Sequence, residues 1–288
     1  MSTLTLTGLI GAADGITTSF LTQTYPAIAS AISPAITYAA ILYWALLGYK
    51  VYAGNSPLEW RDVLTKAVMT SAVFGTLNWG GLALTIYNIF VSFMESAAGT
   101  IMAGQPTANM LDALYTNADK VSETLRGVDW YQVNAILEGM GILIVNTILF
   151  GVALVYMTIA KFGLAITMVL LPLFIGFAMF SQTRQWFMNW LSMMFNFSLV
   201  YILVIAIVRF GFLAFGDYID EVGKAAGFID ARLITGEQVS YLLIIEAVLI
   251  IFMLQIKGWA AALSGGATVG GASLLMMAVR TLTTKGAK

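Results

Sequence analysis

The feature that most constrains this chain is an apolar run from Ile136 to Phe180. Its 45 residues contain two charges, Glu138 and Lys161, and one helix breaker, Pro172. A bilayer crossing needs about 20 apolar residues at roughly 1.5 Å of rise each. The run is therefore about twice too long for one straight crossing and must tilt, bend, leave the bilayer or cross it twice. Whichever it does fixes the side on which everything after it lies.

The rest of the sequence fits a membrane reading. The chain has 288 residues, 59% of them hydrophobic and 10% charged, with a mean hydropathy of +0.86; soluble domains carry about 25% charged residues. Its long runs are continuous, whereas a transmembrane barrel would show alternating segments of about ten residues. The fold class is thus all-α, a polytopic helical membrane protein. The net charge of −1 provides no overall basic field for nucleic acid. Without histidine or cysteine, His/Cys zinc sites and His-based triads are excluded. We expect neither enzymatic activity nor a cofactor. No Lys or Arg precedes Lys50, so the basic start of a signal peptide is missing and targeting is expected to fall to the first span.

In chain order, residues 1–34 are small, mildly apolar and nearly uncharged, and read as an external N-terminal segment or a disordered tether. Spans are expected at about 35–52, 67–94, 136–180, 191–215 and 239–256, the second interrupted by Gly75 and by Asn78-Trp79-Gly80-Gly81. Two acidic amphipathic helices lie between spans, at 107–127 and 217–236. Their stripes, Leu111, Leu114, Ala118, Val121 and Leu125, then Ile219, Val222, Ala226, Ile229 and Leu233, step by 3, 4, 3 and 4 residues. Helices that lie on anionic lipid are usually basic, so these stripes pack either on the chain's own spans or on another subunit. Residues 259–288 form a glycine-rich basic tail. Its SGGATVGGAS lacks the Gly-Lys-Ser/Thr ending of a phosphate-binding loop.

Positive charge decides the crossing number. With the long run as a single crossing, Lys50, Arg61, Lys66, Arg184 and the tail cations share the cytoplasmic side, and both acidic segments lie outside. Two crossings would scatter these groups. We expect five crossings with one overlong third helix, bent near Lys161–Pro172. The transmembrane domain then covers 35–258, with the N-terminus periplasmic and the C-terminus cytoplasmic.

Charges inside spans are costly unless paired. Arg209 and Glu246 fall at similar depth on neighbouring antiparallel spans and could pair within or between subunits. Alternatively, Arg209 snorkels to the interface and Glu246 faces a water-filled cavity. Lys161 and Glu138 read more simply as interface residues.

At LPLFIGFAMFSQTRQWFMNWL, a proline, a Phe-rich stretch and a Thr-Arg, Phe, Trp cluster follow one another. This pattern, at Pro172, Phe180, Thr183, Arg184, Phe187 and Trp190, resembles the TrbL-like family of conjugal transfer proteins. The resemblance extends loosely from residue 35 to 258. It implies a polytopic inner-membrane subunit of a bacterial type IV secretion system, assembled as a ring, a homopentamer, beneath a periplasmic stalk and pilus. It also implies its partners: a minor pilin-like stalk subunit, the major pilin, bitopic arch and scaffold proteins, secretion ATPases, membrane lipids, and DNA or protein in transit. Arg184–Trp190 would brace the cytoplasmic face and the acidic helices would meet the stalk. The competing reading is a small-molecule transporter, which usually carries internal repeats and broken helices at the midplane; no inverted repeat is visible here.

Overall fold

The computed structural model describes residues 6–54, 59–103, 107–127, 132–228 and 236–265; within them, the side chains of 107–111, 113, 114, 117, 212, 215–228 and a few others are not described. Eight α-helices follow one another among the described residues: α1 (Leu6–Tyr52), α2 (Trp60–Gly75), α3 (Leu84–Ile101), α4 (Thr107–Arg126), α5 (Val133–Val169), α6 (Leu171–Phe177), α7 (Arg184–Phe228) and α8 (Gly236–Leu263). Among the described residues, five segments are long and apolar enough to cross a bilayer: Gly11–Tyr52, Trp79–Ile101, Val133–Val169, Arg184–Gly211 and Gly236–Leu263. The chain is an all-α polytopic protein.

The apolar run supplies the central helix. α5 packs against α1, α4, α7 and α8, which is why fourteen of its residues are buried. Its 37 residues rise about 55 Å, against a hydrocarbon core about 30 Å thick. The close neighbours of α5 occupy glycine positions. A Cβ at Gly163 would lie 2.3 Å from the Phe197 ring on α7, and one at Gly139 would lie 2.9 Å from the Ser122 carbonyl on α4. Small residues let helix backbones approach where lipid tails give no hydrophobic drive to association.

The run does not continue as one helix. α5 stops at Val169, Leu170 adopts φ −85° and ψ −2°, and α6 starts with Pro172 in its first turn. Proline lacks the N–H that would extend the ladder to Met168 O, and its ring crowds that carbonyl. The break therefore falls at the far end of the expected bend.

Several expected boundaries move. The first span does not start at Ala35: α1 runs unbroken from Leu6 through Pro26 and Pro34. One narrow stripe of α1 is buried, at Ala13, Thr17, Leu21, Tyr25, Ala29, Ile36 and Ala40, and steps of four and seven residues keep it on one face. The second span is two helices instead of one. Asn78 Oδ1 accepts from the Gly80 N–H at 3.2 Å, and Gly81 takes the non-helical φ −98°, ψ −132° inside a short π turn at Trp79–Ala83. The apolar crossing consequently shifts to Trp79–Ile101. The second acidic segment is not a separate helix at its start, because α7 runs on to Phe228; Ile219 and Val222 lie on this extension. Ile229 and Leu233 lie outside the described residues.

Candidate functional site

The residues of the Pro172–Trp190 pattern meet around the break. Thr167 O accepts from the Leu170 N–H at 3.2 Å and from the buried Trp190 Nε1 at 2.8 Å. The indole thus ties the second turn of α7 to the end of α5. Thr183 Oγ1 donates to Phe177 O at 2.8 Å, closing the end of α6, and the Arg184 N–H donates to Phe180 O at 3.0 Å. Phe187 stacks on Trp190 at 5.7 Å, and Phe177 meets Trp186 edge-on at 4.9 Å. Pro172 is buried and Arg184 is exposed. The Pro, Thr and Trp therefore hold a chain reversal together, leaving the guanidinium outside it.

Arg209 and Glu246 lie on adjacent antiparallel helices. Gly211 lies against Leu249 and Phe210 against Phe252, so Glu246 comes level with α7 about three to five residues beyond Gly211, roughly 8–10 Å along the axis from Arg209. Glu246 is 3% exposed and its Oε2 has no hydrogen-bond partner. Asn146 on α5 is likewise buried with Oδ1 unpartnered, while its Nδ2 donates to Tyr115 O at 3.3 Å. Both are polar groups in an apolar interior, where an unsatisfied atom is costly.

The α4 stripe corrects one expectation. Val121 and Leu125 are fully buried within the chain, and Leu125 lies against Gly139 of α5. Ser122, on the same face, donates to Gly139 O at 2.8 Å. Val121 and Leu125 are therefore not a docking stripe for another subunit, because the chain's own helices already cover them. The side chains of Leu111 and Leu114, and those of Ile219 and Val222, lie outside the described residues.

A site the sequence reading missed forms where α1, α3, α5 and α7 converge. Lys161, expected at an interface, is mostly buried and forms an ion pair with Asp14. Its Nζ also lies 5.5 Å from the centroid of the Tyr201 ring. Tyr87, Glu95 and Thr17 complete the polar lining of a cavity of about 30 Å³ beside them. Pairing with a carboxylate and with an aromatic face are two ways to keep an ammonium in an apolar bundle. The 147-residue separation of Lys161 and Asp14 explains why periodicity within either helix could not reveal the contact.

Among the described residues, no group of three or more Asp, Glu, His or Cys could hold a metal ion. The features present are a braced chain reversal, a buried carboxyl and a charged junction of four helices, with much apolar surface left over. Ile41, Leu42, Ile144, Ile244, Ile251 and Leu254 are each between 54% and 60% exposed, as helices facing lipid or other subunits would be.

Comparison with known proteins agrees with this plan. The chain matches the family described as TrbL/VirB6 plasmid conjugal transfer protein over residues 40–256. It is 23% identical over 191 residues to the type IV secretion system protein VirB6 of Bartonella henselae, and 23% over 190 residues to that of Bartonella quintana; each match covers 64% of this chain. The chain spans 59% of the length of these relatives. The family match takes in every motif residue, three of the five apolar crossings in full and part of the other two, and the chain belongs to the TrbL/VirB6 family of type IV secretion membrane components.

Proposed function

We propose that the chain is a channel and scaffold subunit in the inner membrane of a type IV secretion system. In this reading it forms a homo-oligomeric ring, a pentamer, beneath the periplasmic stalk, and serves substrate transfer and pilus assembly. The observation that carries the proposal is the family match over 40–256. The exposed apolar faces of α1, α5 and α8 supply surface for subunit contacts and for lipid. Partners are the stalk subunit, the major pilin, the arch and scaffold proteins and the secretion ATPases, with DNA or protein in contact only during passage. In this reading the N-terminus is periplasmic and the C-terminus cytoplasmic, the orientation that the distribution of Lys and Arg favours.

With Val121 and Leu125 covered, contact with the stalk falls to the polar side of α4, where Thr116, Lys120 and Glu123 are exposed. The Arg209–Glu246 relation is a charge pair formed within a subunit or across a subunit boundary, and the orphaned Oε2 is the acceptor such a pair would use. Pro172, Thr183 and Trp190 brace the cytoplasmic end, with Arg184 displayed on its surface.

The test is complementation. A host lacking the chain should lose secretion or conjugative transfer and regain it with the intact gene. Cysteines placed at positions 116 and 120 should crosslink to the stalk subunit in the working machine. Full transfer without the chain would overturn the reading. A small-molecule transporter would instead show solute uptake in proteoliposomes that Glu246→Gln abolishes.

A further inference from the structure

The end of α1, the start of α2 and the turn between α6 and α7 enclose a cavity of about 350 Å³. Three cations line it, Lys50, Lys66 and Arg184, with Ser181 and Gln182 as neutral polar partners and, among the described residues, no acidic side chain in the lining. The cations come from three separate parts of the sequence, so their convergence belongs to the fold. The remaining lining is apolar, including Leu46, Leu47 and Tyr43, and the Tyr43 ring meets Phe180 edge-on at 5.5 Å.

Met179 and Phe180 also line a second cavity, of about 310 Å³, between α1 and α6. Apart from Thr183, its lining is apolar, with Ile32, Ala35, Ile36 and Ala39 on one side and Leu173 and Phe177 on the other. The basic and apolar cavities thus adjoin through two shared residues.

We propose that this pair of cavities is a binding site for one anionic phospholipid. The phosphate sits among Lys50, Lys66 and Arg184, and an acyl chain lies in the groove between α1 and α6. Charge complementarity selects the headgroup, since basic pockets between helices at the cytoplasmic side of a membrane suit anionic lipids. The adjoining groove distinguishes a lipid from a free anion, which has no use for apolar surface. A bound lipid would join α1, α2 and the α6–α7 turn.

The test uses the full chain in mild detergent, with native mass spectrometry and thermal unfolding after adding phosphatidylglycerol, phosphatidylcholine or inorganic phosphate. Phosphatidylglycerol should be retained and raise Tm, while phosphatidylcholine and phosphate should do neither. Lys50→Gln, at an exposed position, should weaken retention about fivefold, and Lys50→Gln with Lys66→Gln by about 25-fold. Ala35→Phe, an exposed change that fills the groove, should reduce lipid retention with the cations intact. Equal retention of phosphatidylcholine would overturn the proposal, as would an equal Tm rise with phosphate alone or an Ala35→Phe variant that retains lipid normally. Each readout is independent of secretion, so the lipid site can fail while the secretion reading stands.

Discussion

Trp190 is the residue on which the chain reversal depends most. Its Nε1 is 2.8 Å from Thr167 O, and because that carbonyl keeps the Leu170 N–H, loss of the indole bond costs about 0.5–1.5 kcal/mol. Trp190→Phe, which keeps an aromatic ring, should lower Tm in detergent, and Thr167→Val, which keeps the carbonyl, should not reproduce the loss. At the junction of four helices, Lys161 and Asp14 should be energetically coupled. Asp14 is 56% exposed, so a double-mutant cycle with Lys161→Met and Asp14→Asn should give only about 0.5–1 kcal/mol. The proposed pair on α7 and α8 makes a sharper demand. Arg209→Glu and Glu246→Arg should each impair assembly, and the swapped double variant should restore much of it; an inactive swap beside mildly affected single variants would remove the pair.

At the level of elements, α5 depends on its glycines. A Cβ at Gly139 meets the backbone carbonyl of Ser122 at 2.9 Å, which cannot rotate away, so Gly139→Ala should destabilise by about 1–3 kcal/mol through overpacking. The expected signature is a lower Tm with faster proteolysis of α4. The amphipathic spacing of α4, the five crossings and the break near Pro172 could all be read from the sequence, because hydrophobic period, run length and proline act locally. What covers the α4 stripe could not. A 3, 4, 3, 4 spacing says that Val121 and Leu125 are buried and leaves open whether the cover is the chain's own helices or another protein. Val121→Asp should therefore unfold α4 from α5 in the isolated chain, before any partner is present. For the same reason the meeting of Lys161 with Asp14 and the convergence of Lys50, Lys66 and Arg184 escaped the sequence, since each joins helices whose relative rotation no single span encodes. The continuity of α1 through Pro26 and Pro34 was also hidden, because prolines mark helix ends more often than helix interiors.

The whole molecule leaves much of its apolar surface uncovered. In the apolar 18-residue windows of the α1 and α8 crossings, 11% and 33% of the residues are buried within the chain, so lipid, other subunits or both must cover much of the rest. A bundle that faced lipid alone would be stable as a monomer. In the ring proposed above, these faces meet one another. The decisive measurement is the mass of the full chain extracted in mild detergent, by native mass spectrometry alongside blue-native electrophoresis. The account predicts one discrete homo-oligomer, a pentamer of the 31.1 kDa chain, which also crosslinks to the stalk or arch proteins in membranes of the secreting cell. A stable monomer at every load and in every mild detergent, with no crosslink to those partners, would contradict it.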